Sequence, residues 1–376
     1  MMRGVITVFV LCAGFTIALM ADPAYPWQNV LYVLRPLSLA QSQRIELDIK
    51  SVLLSKGISD VVFIMDKDGT LSKPNEHVSD SMINLIRKIF DTYDCSHIVI
   101  CTGGILEDSE DNLINPLEKM VKLNSHSWFK RLTYFFMAGL GKISWDEQGR
   151  RTIEYFGEPF SKDDQMFIVR NLAKALMQNI EGIRLPEGTD EAKNMKNLSK
   201  IFDEFIAKNR KLIGHIEISN GKGRQFTIEL KKSSEKQALP GLQNSDFTRK
   251  VSETFKGLLA ERANLKNLHI KYGDTYVDCS PVDKKDAVEC FLGERNFKNP
   301  LIIAIGDGSN DYGFLSKTTN DKTKLSFFVG KDCEGMPDGV TLWQTPGPAG
   351  TEEILVSIVK SVETVFEMEN NIRTCA

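Results

Sequence analysis

Apolar residues along the chain fall into three textures. Val61-Val62-Phe63-Ile64-Met65 is a short unbroken apolar run ending at a turn, as are Leu301-Ile302-Ile303-Ala304-Ile305 and the stretch His97 to Thr102. Runs of this length without alternation predict strands buried on both faces, as in a parallel sheet. Leu325 to Gly330 and Thr341 to Gln344 read as further strands. Val78 to Tyr93 instead carries Met82, Leu85, Ile86 and Ile89 on one helical face, which predicts an amphipathic helix. Helices are also expected over Leu37 to Ser55, before Lys56-Gly57, and over Ala349 to Phe366 as the closing element. Strand, helix and strand between Val61 and Thr102 form a right-handed βαβ unit.

The middle of the chain alternates. Gly141 to Trp145 and Arg151 to Phe156 flank Asp146-Glu147-Gln148-Gly149, and His215 to Ser219 and Gln225 to Leu230 flank Asn220-Gly221-Lys222-Gly223; both read as hairpins. Helical spacing marks Lys162 to Ile180, Thr189 to Lys208 and Asp246 to Ala263, with short strands at Leu268 to Tyr272 and Thr275 to Cys279. Lys231 to Asn244 is polar around Pro240-Gly241 and reads as a loop. The pattern predicts an α/β fold: a Rossmann-like, mainly parallel sheet built from both ends of the chain, with an α+β insert between two of its strands. The expected domains are residues 22–105 with 281–376 for the core and 106–280 for the insert. No internal repeat is visible.

The N-terminus stands apart. Arg3 precedes an apolar stretch from Gly4 to Met20, followed by Ala21-Asp22-Pro23. That order predicts a secretory signal peptide over residues 1–21, hence a secreted or periplasmic protein. The competing expectation is an uncleaved membrane anchor, the one route to a membrane partner in this chain. The 376 residues carry a formal net charge of -3, so nothing points to nucleic acid as a partner. Removing the signal with Cys12 leaves Cys95, Cys101, Cys279, Cys290, Cys333 and Cys375, an even number compatible with disulfides or with buried free thiols. No CxxC pair occurs and the five histidines are scattered, which argues against zinc. Asn197-Leu198-Ser199 fits a glycosylation acceptor.

The chemistry sits where the buried strands end. Asp66-Lys67-Asp68-Gly69-Thr70-Leu71 follows the first run, and the carboxyl ends of such strands face the ligand crevice of an open α/β sheet. Of two carboxylates one residue apart, the first can attack an electrophile or hold a metal and the second can move a proton. Thr102-Gly103-Gly104 offers a hydroxyl and free amides for phosphate oxygens. Lys284-Lys285 opens a helix and supplies positive charge, and Asp307 with Asp311 adds hard oxygen ligands of the kind magnesium takes.

Read together as DKDGTL, CTGG, VDKKDA and GDGSND, these four segments resemble the motifs of the haloacid dehalogenase-like phosphatase superfamily. The insert between the second and third motifs is similar to the C2-capped subgroup, which includes trehalose-phosphate and Cof-like sugar phosphatases. The resemblance implies that Asp66 is the nucleophile and Asp68 the general acid and base. It implies that Thr102, Gly103 and Lys284 bind phosphate, with Lys284 preferred to Lys285. It further implies that Mg²⁺ is held by Asp66, the Asp68 carbonyl and Asp307, with Asp311 in support. Gly104 stands where relatives often carry arginine. The expected partner is a small phosphate ester, foremost a sugar phosphate such as trehalose phosphate. A phosphoprotein or nucleotide target, a mutase-like phosphotransfer and a binding-only role remain open. Lys222 and Arg224 are candidates either for substrate contact or for a solvated turn. The cluster Trp128, Phe129, Tyr134, Phe135 and Phe136 is a candidate either for ring stacking or for packing of the insert.

Overall fold

Seven residues, Asp60–Asp66, form the strand on which the architecture turns. Val62, Phe63, Ile64 and Met65 have no exposed surface there, each worth about 1.5–3 kcal/mol of burial. The computed structural model describes residues 9–12, 15–18, 43, 46, 60–74, 76–92, 96–124, 126–179, 215–220, 223–231, 245–273, 276–316 and 323–375. The chain divides into two compact units, Lys56–Glu352 and the terminal stretches Met1–Ser55 with Glu353–Ala376. In the terminal unit, β1 (Phe9–Cys12) pairs antiparallel with β2 (Phe15–Ala18). The rest of the expected signal segment, most of the helix expected over Leu37 to Ser55, the helix over Thr189 to Lys208, Asn197 and nearly all of the loop up to Asn244 lie outside the described residues. Among the described residues no helix is long and apolar enough to cross a membrane.

Among the described residues the larger unit contains two sheets. The main one has eight strands in the order β14-β13-β12-β3-β4-β5-β6-β7. These are β3 (Asp60–Asp66), β4 (Ser96–Cys101), β5 (Leu132–Phe136), β6 (Gly141–Trp145), β7 (Arg151–Tyr155), β12 (Pro300–Gly306), β13 (Lys324–Phe328) and β14 (Thr341–Leu342). From β14 to β5 every pairing is parallel, and β5-β6-β7 continues antiparallel. Helix α1 (Asp80–Thr92) makes the β3-to-β4 crossover and buries Met82, Ile83, Ile86, Ile89 and Phe90. The second sheet is antiparallel, in the order β10-β11-β9-β8: β8 (His215–Asn220), β9 (Phe226–Lys231), β10 (His269–Tyr272) and β11 (Tyr276–Ser280). Helices α2 (Lys162–Gln178) and α3 (Ser245–Leu259) share an apolar core with it, in which Ile168, Leu172, Phe226, Val251 and Phe255 are buried. Helix α4 (Lys284–Arg295) returns the chain to the main sheet, and the last helix is α5 (Pro348–Cys375).

One boundary differs from expectation. Residues 132–155, expected in the insert, hydrogen-bond into the main sheet through the β4–β5 pairing. The separate sheet and its helices are therefore built from residue 162 onward, not from 106. Period-two alternation identifies a hairpin but carries no information about which sheet receives its edge. The aromatic cluster moves with it: Tyr134, Phe135 and Phe136 are buried on β5, and Trp128 stacks on Phe90 of α1 at 5.7 Å. These rings pack the main core, not the insert. Cys101, Cys279, Cys290 and Cys333 are free thiols.

Candidate active site

Because β12, β3 and β4 run parallel as neighbours, their carboxyl ends deliver Gly306, Asp66 and Cys101 to one edge, and the loops beyond them converge. Asp66 is 3% exposed at the end of β3. The chain then turns tightly, with the Lys67 carbonyl accepting from the Leu71 and Ser72 amides. Gly69 has φ +84°, and a Cβ there would overlap the Asp307 carboxylate, so glycine is required for both reasons. Thr70 Oγ1 donates to Asp307 Oδ1 at 3.0 Å.

The second motif is clamped by backbone. The Thr102 amide donates to Phe135 O and the Ala138 amide to Thr102 O, both at 2.9 Å. Thr102 Oγ1 accepts from the Gly104 amide at 3.1 Å and donates to Asp68 Oδ2 at 3.3 Å. Met137 and Ala138 both have φ +54°, an uncommon conformation for residues with a Cβ, held in the loop that grips Thr102.

Asp283 caps α4, accepting from the Lys285 and Asp286 amides while Asp286 reaches back to the Asp283 amide. This capping box orients the first turn. Lys284 points inward, 2% exposed, and donates to Asp66 Oδ1 at 2.6 Å and to Asp311 Oδ1 at 2.7 Å. Lys285 points outward and faces Glu289 at 3.5 Å. Asp311 is wholly buried and its Oδ2 accepts from the Asp307 and Gly308 amides at 3.0 Å each. It thus ties the fourth motif to Lys284.

Asp66, Asp307 and Asp311 offer one oxygen each, all within 4.8 Å of one another. Three carboxylates around one ammonium leave negative charge uncompensated. Burial and then Asp311 push Asp66 well above the usual carboxylate range despite Lys284. Asp307 is raised to about 7 by burial, then by Asp311. Lys284 loses solvation on burial, yet Asp311 and Asp66 hold its ammonium well above its ordinary value. The donor set is all hard oxygen with an excess of negative charge, which fits a divalent cation such as Mg²⁺. The side chain of Asp68 lies outside this trio, paired with Lys67 and Thr102.

The structure adds residues with no local signal in the sequence. Tyr276, at the start of β11, is brought to the cluster by the second sheet; its hydroxyl accepts from Asn310 Nδ2 of the fourth motif at 3.2 Å. Burial, opposed by Lys284, pushes that phenol far up. Gln225 Nε2 donates to Gly103 O at 2.8 Å and to Asp278 at 2.7 Å, and Thr227 Oγ1 donates to Asp278 Oδ1 at 2.6 Å. Arg224 is turned aside: its Nε donates to Gly157 O at 3.1 Å and its guanidinium covers Tyr155. Lys222 lies outside the described residues.

No protein family matched the chain by sequence, and no curated protein did. Solved structures match it by shape. An IMP-bound IMP-nucleotidase from Plasmodium falciparum superposes with a TM-score of 0.52 at 13% identity, over 84% of this chain and 72% of that one. The C-terminal domain of trehalose-6-phosphate phosphatase from C. albicans aligns with a TM-score of 0.49 at 13% identity, over 85% of this chain and 96% of that one. The α/β fold is shared with the nucleotidase.

Proposed function

We propose that the protein is a metal-dependent phosphomonoester hydrolase working through an aspartyl phosphate on Asp66. One observation carries this reading. Lys284 bridges Asp66 and Asp311 beside Asp307, and the Asp68–Thr102 pair stands on the adjoining loops. Phosphoryl transfer asks chiefly for positioning and charge neutralisation, and this arrangement supplies both.

Asp66, Asp307 and the Asp68 carbonyl would hold Mg²⁺, with Asp311 behind them, and the ion would offset repulsion between the Asp66 carboxylate and an anionic phosphate. Thr102, the amides after it and Lys284 receive the phosphoryl oxygens. Asp66 attacks phosphorus while Asp68 gives a proton to the departing oxygen. Asp68 then takes a proton from the water that attacks phosphorus and frees Asp66.

The preferred substrate class is a sugar phosphate, as the resemblance to C2-capped phosphatases implies. A nucleoside monophosphate is the second reading, motivated by the IMP bound to the nucleotidase of like fold. The test is inorganic phosphate release across sugar phosphates, nucleotides and phosphopeptides, with Mg²⁺ or EDTA, for wild type beside Asp66→Asn. Mg²⁺-dependent turnover absent from the variant is expected. Turnover that persists in Asp66→Asn overturns the reading.

A further inference from the structure

Lys67 stands between the two carboxylates of the first motif, and no step above uses it. It is 2% exposed, and its Nζ donates to Asp68 Oδ1 at 2.8 Å. Lysine is almost never buried to this degree without a partner. Side chains of chain neighbours diverge in an extended strand. Here they converge because β3 ends at Asp66 and the turn gathered on the Lys67 carbonyl begins at once.

The other Asp68 oxygen, Oδ2, accepts from Thr102 Oγ1 at 3.3 Å. Thr102 has a single hydroxyl hydrogen, and its Oγ1 already accepts from the Gly104 amide. A phosphoryl oxygen that takes the Thr102 hydrogen must therefore take it from Asp68 Oδ2. The hold of Lys67 on Oδ1 is unaffected by that exchange. The two oxygens of Asp68 are thus inequivalent, one fixed and one releasable.

We propose that Lys67 is a positioning residue: it fixes Oδ1 of Asp68 so that Oδ2, released by Thr102 when a phosphate ester binds, is the oxygen that hands a proton to the leaving group. This rests on the phosphatase reading and deepens it. In the first half-reaction the bond from Asp66 to phosphorus forms as the ester bond breaks, and the proton on Oδ2 moves to the leaving oxygen. In the second, a water oxygen joins phosphorus, its proton passes to the same Oδ2, and the bond to Asp66 breaks to give inorganic phosphate.

A weakly basic leaving group such as p-nitrophenolate departs with little need of that proton, whereas a basic one depends on it. The test is single-turnover release of the leaving group, with Mg²⁺, from aryl phosphates of graded basicity and from benzyl phosphate. Wild type, Lys67→Met, Lys67→Gln and Lys67→Arg are compared. Lys67→Met is expected to lose less than about threefold on p-nitrophenyl phosphate and at least about thirtyfold on benzyl phosphate, a part of the roughly 10²–10⁴-fold that general acid catalysis contributes. Lys67→Arg should recover most of the difference. A loss of the same size across the series, or none at all, overturns the inference, because a merely structural lysine would not change the dependence on leaving group. Should Lys67→Met not fold, the same split is read in Lys67→Gln. Wild type that cleaves none of these esters, nor any compound in the broader panel, would instead overturn the phosphatase reading itself.

Discussion

Lys284→Met removes the ammonium from the acidic cluster while keeping a side chain of similar volume, so the change is electrostatic rather than a cavity. In the native protein that ammonium lies 2.6 Å from Asp66 Oδ1 and 2.7 Å from Asp311 Oδ1, and the three side chains are 3%, 5% and 0% exposed. Removing one partner from a buried pair costs about 3–5 kcal/mol, because the remaining charge is stranded. The loss should depend on pH, and its sign follows from the cluster. Asp66 and Asp307 titrate above the ordinary carboxyl value of 3.8, so the folded protein binds more protons than the unfolded chain as pH rises from that value. Their contribution to stability therefore falls with rising pH, and without Lys284 it falls further. Urea unfolding in EDTA at pH 8 and pH 5 measures this. The expected deficit of Lys284→Met is about 3–5 kcal/mol at pH 8 and clearly smaller at pH 5, where Asp307 is protonated. An equal deficit at both values, or one below about 1 kcal/mol at pH 8, would refute the reasoning.

Other outcomes follow from the same geometry. Mg²⁺ should raise the melting temperature more at pH 8 than at pH 5.5: the ion competes with the proton that Asp307 carries below about 7, a rise in pKa from 3.8 worth on the order of 4 kcal/mol. Calorimetric scans with and without Mg²⁺ check it, and an equal shift at both pH values would count against the site. Gly69→Ala should cost about 2 kcal/mol or more and abolish turnover, since the positive φ and the Asp307 carboxylate both exclude a Cβ; native stability in that variant would refute the turn geometry. Gln225→Leu should cost about 1–3 kcal/mol by taking one donor from Asp278, which keeps Thr227, and the Gln225 donor from the Gly103 carbonyl, and should weaken phosphate binding through the loop carrying Thr102. Competition by inorganic phosphate reads the second effect.

The strand edge that carries the candidate residues is legible in the sequence for a physical reason. Strands β3 and β12 are covered on both faces, so they read as unbroken apolar runs, and parallel pairing puts their following loops side by side. Asp66, Asp68, Thr102, Lys284, Asp307 and Asp311 all lie within a few residues of such an end or of a helix start, so local pattern suffices to single them out as candidates. The side of the helix that carries Lys284 inward is set by the Asp283 capping box, also a local device. Other features depend on distant partners. The hairpin β6–β7 alternates as any hairpin does, and only the pairing of β5 with β4 assigns it to the main sheet. Tyr276 and Gln225 reach the site because the second sheet folds back over it, which no spacing records. Lys67 is adjacent to Asp68 in sequence, but strand alternation would send the two side chains apart; the immediate turn brings them together.

The central claim is that Asp66 becomes phosphorylated, and trapping the phosphoenzyme tests it most directly. Wild type and Asp68→Asn would be quenched in acid during turnover with Mg²⁺, reduced with borohydride and mapped by mass spectrometry. A hydroxylamine-labile phosphoryl group whose reduction product falls on Asp66, and which accumulates in Asp68→Asn as its hydrolysis slows, is the expected result. Turnover with no covalent intermediate, or with the label on any other residue, would contradict the account.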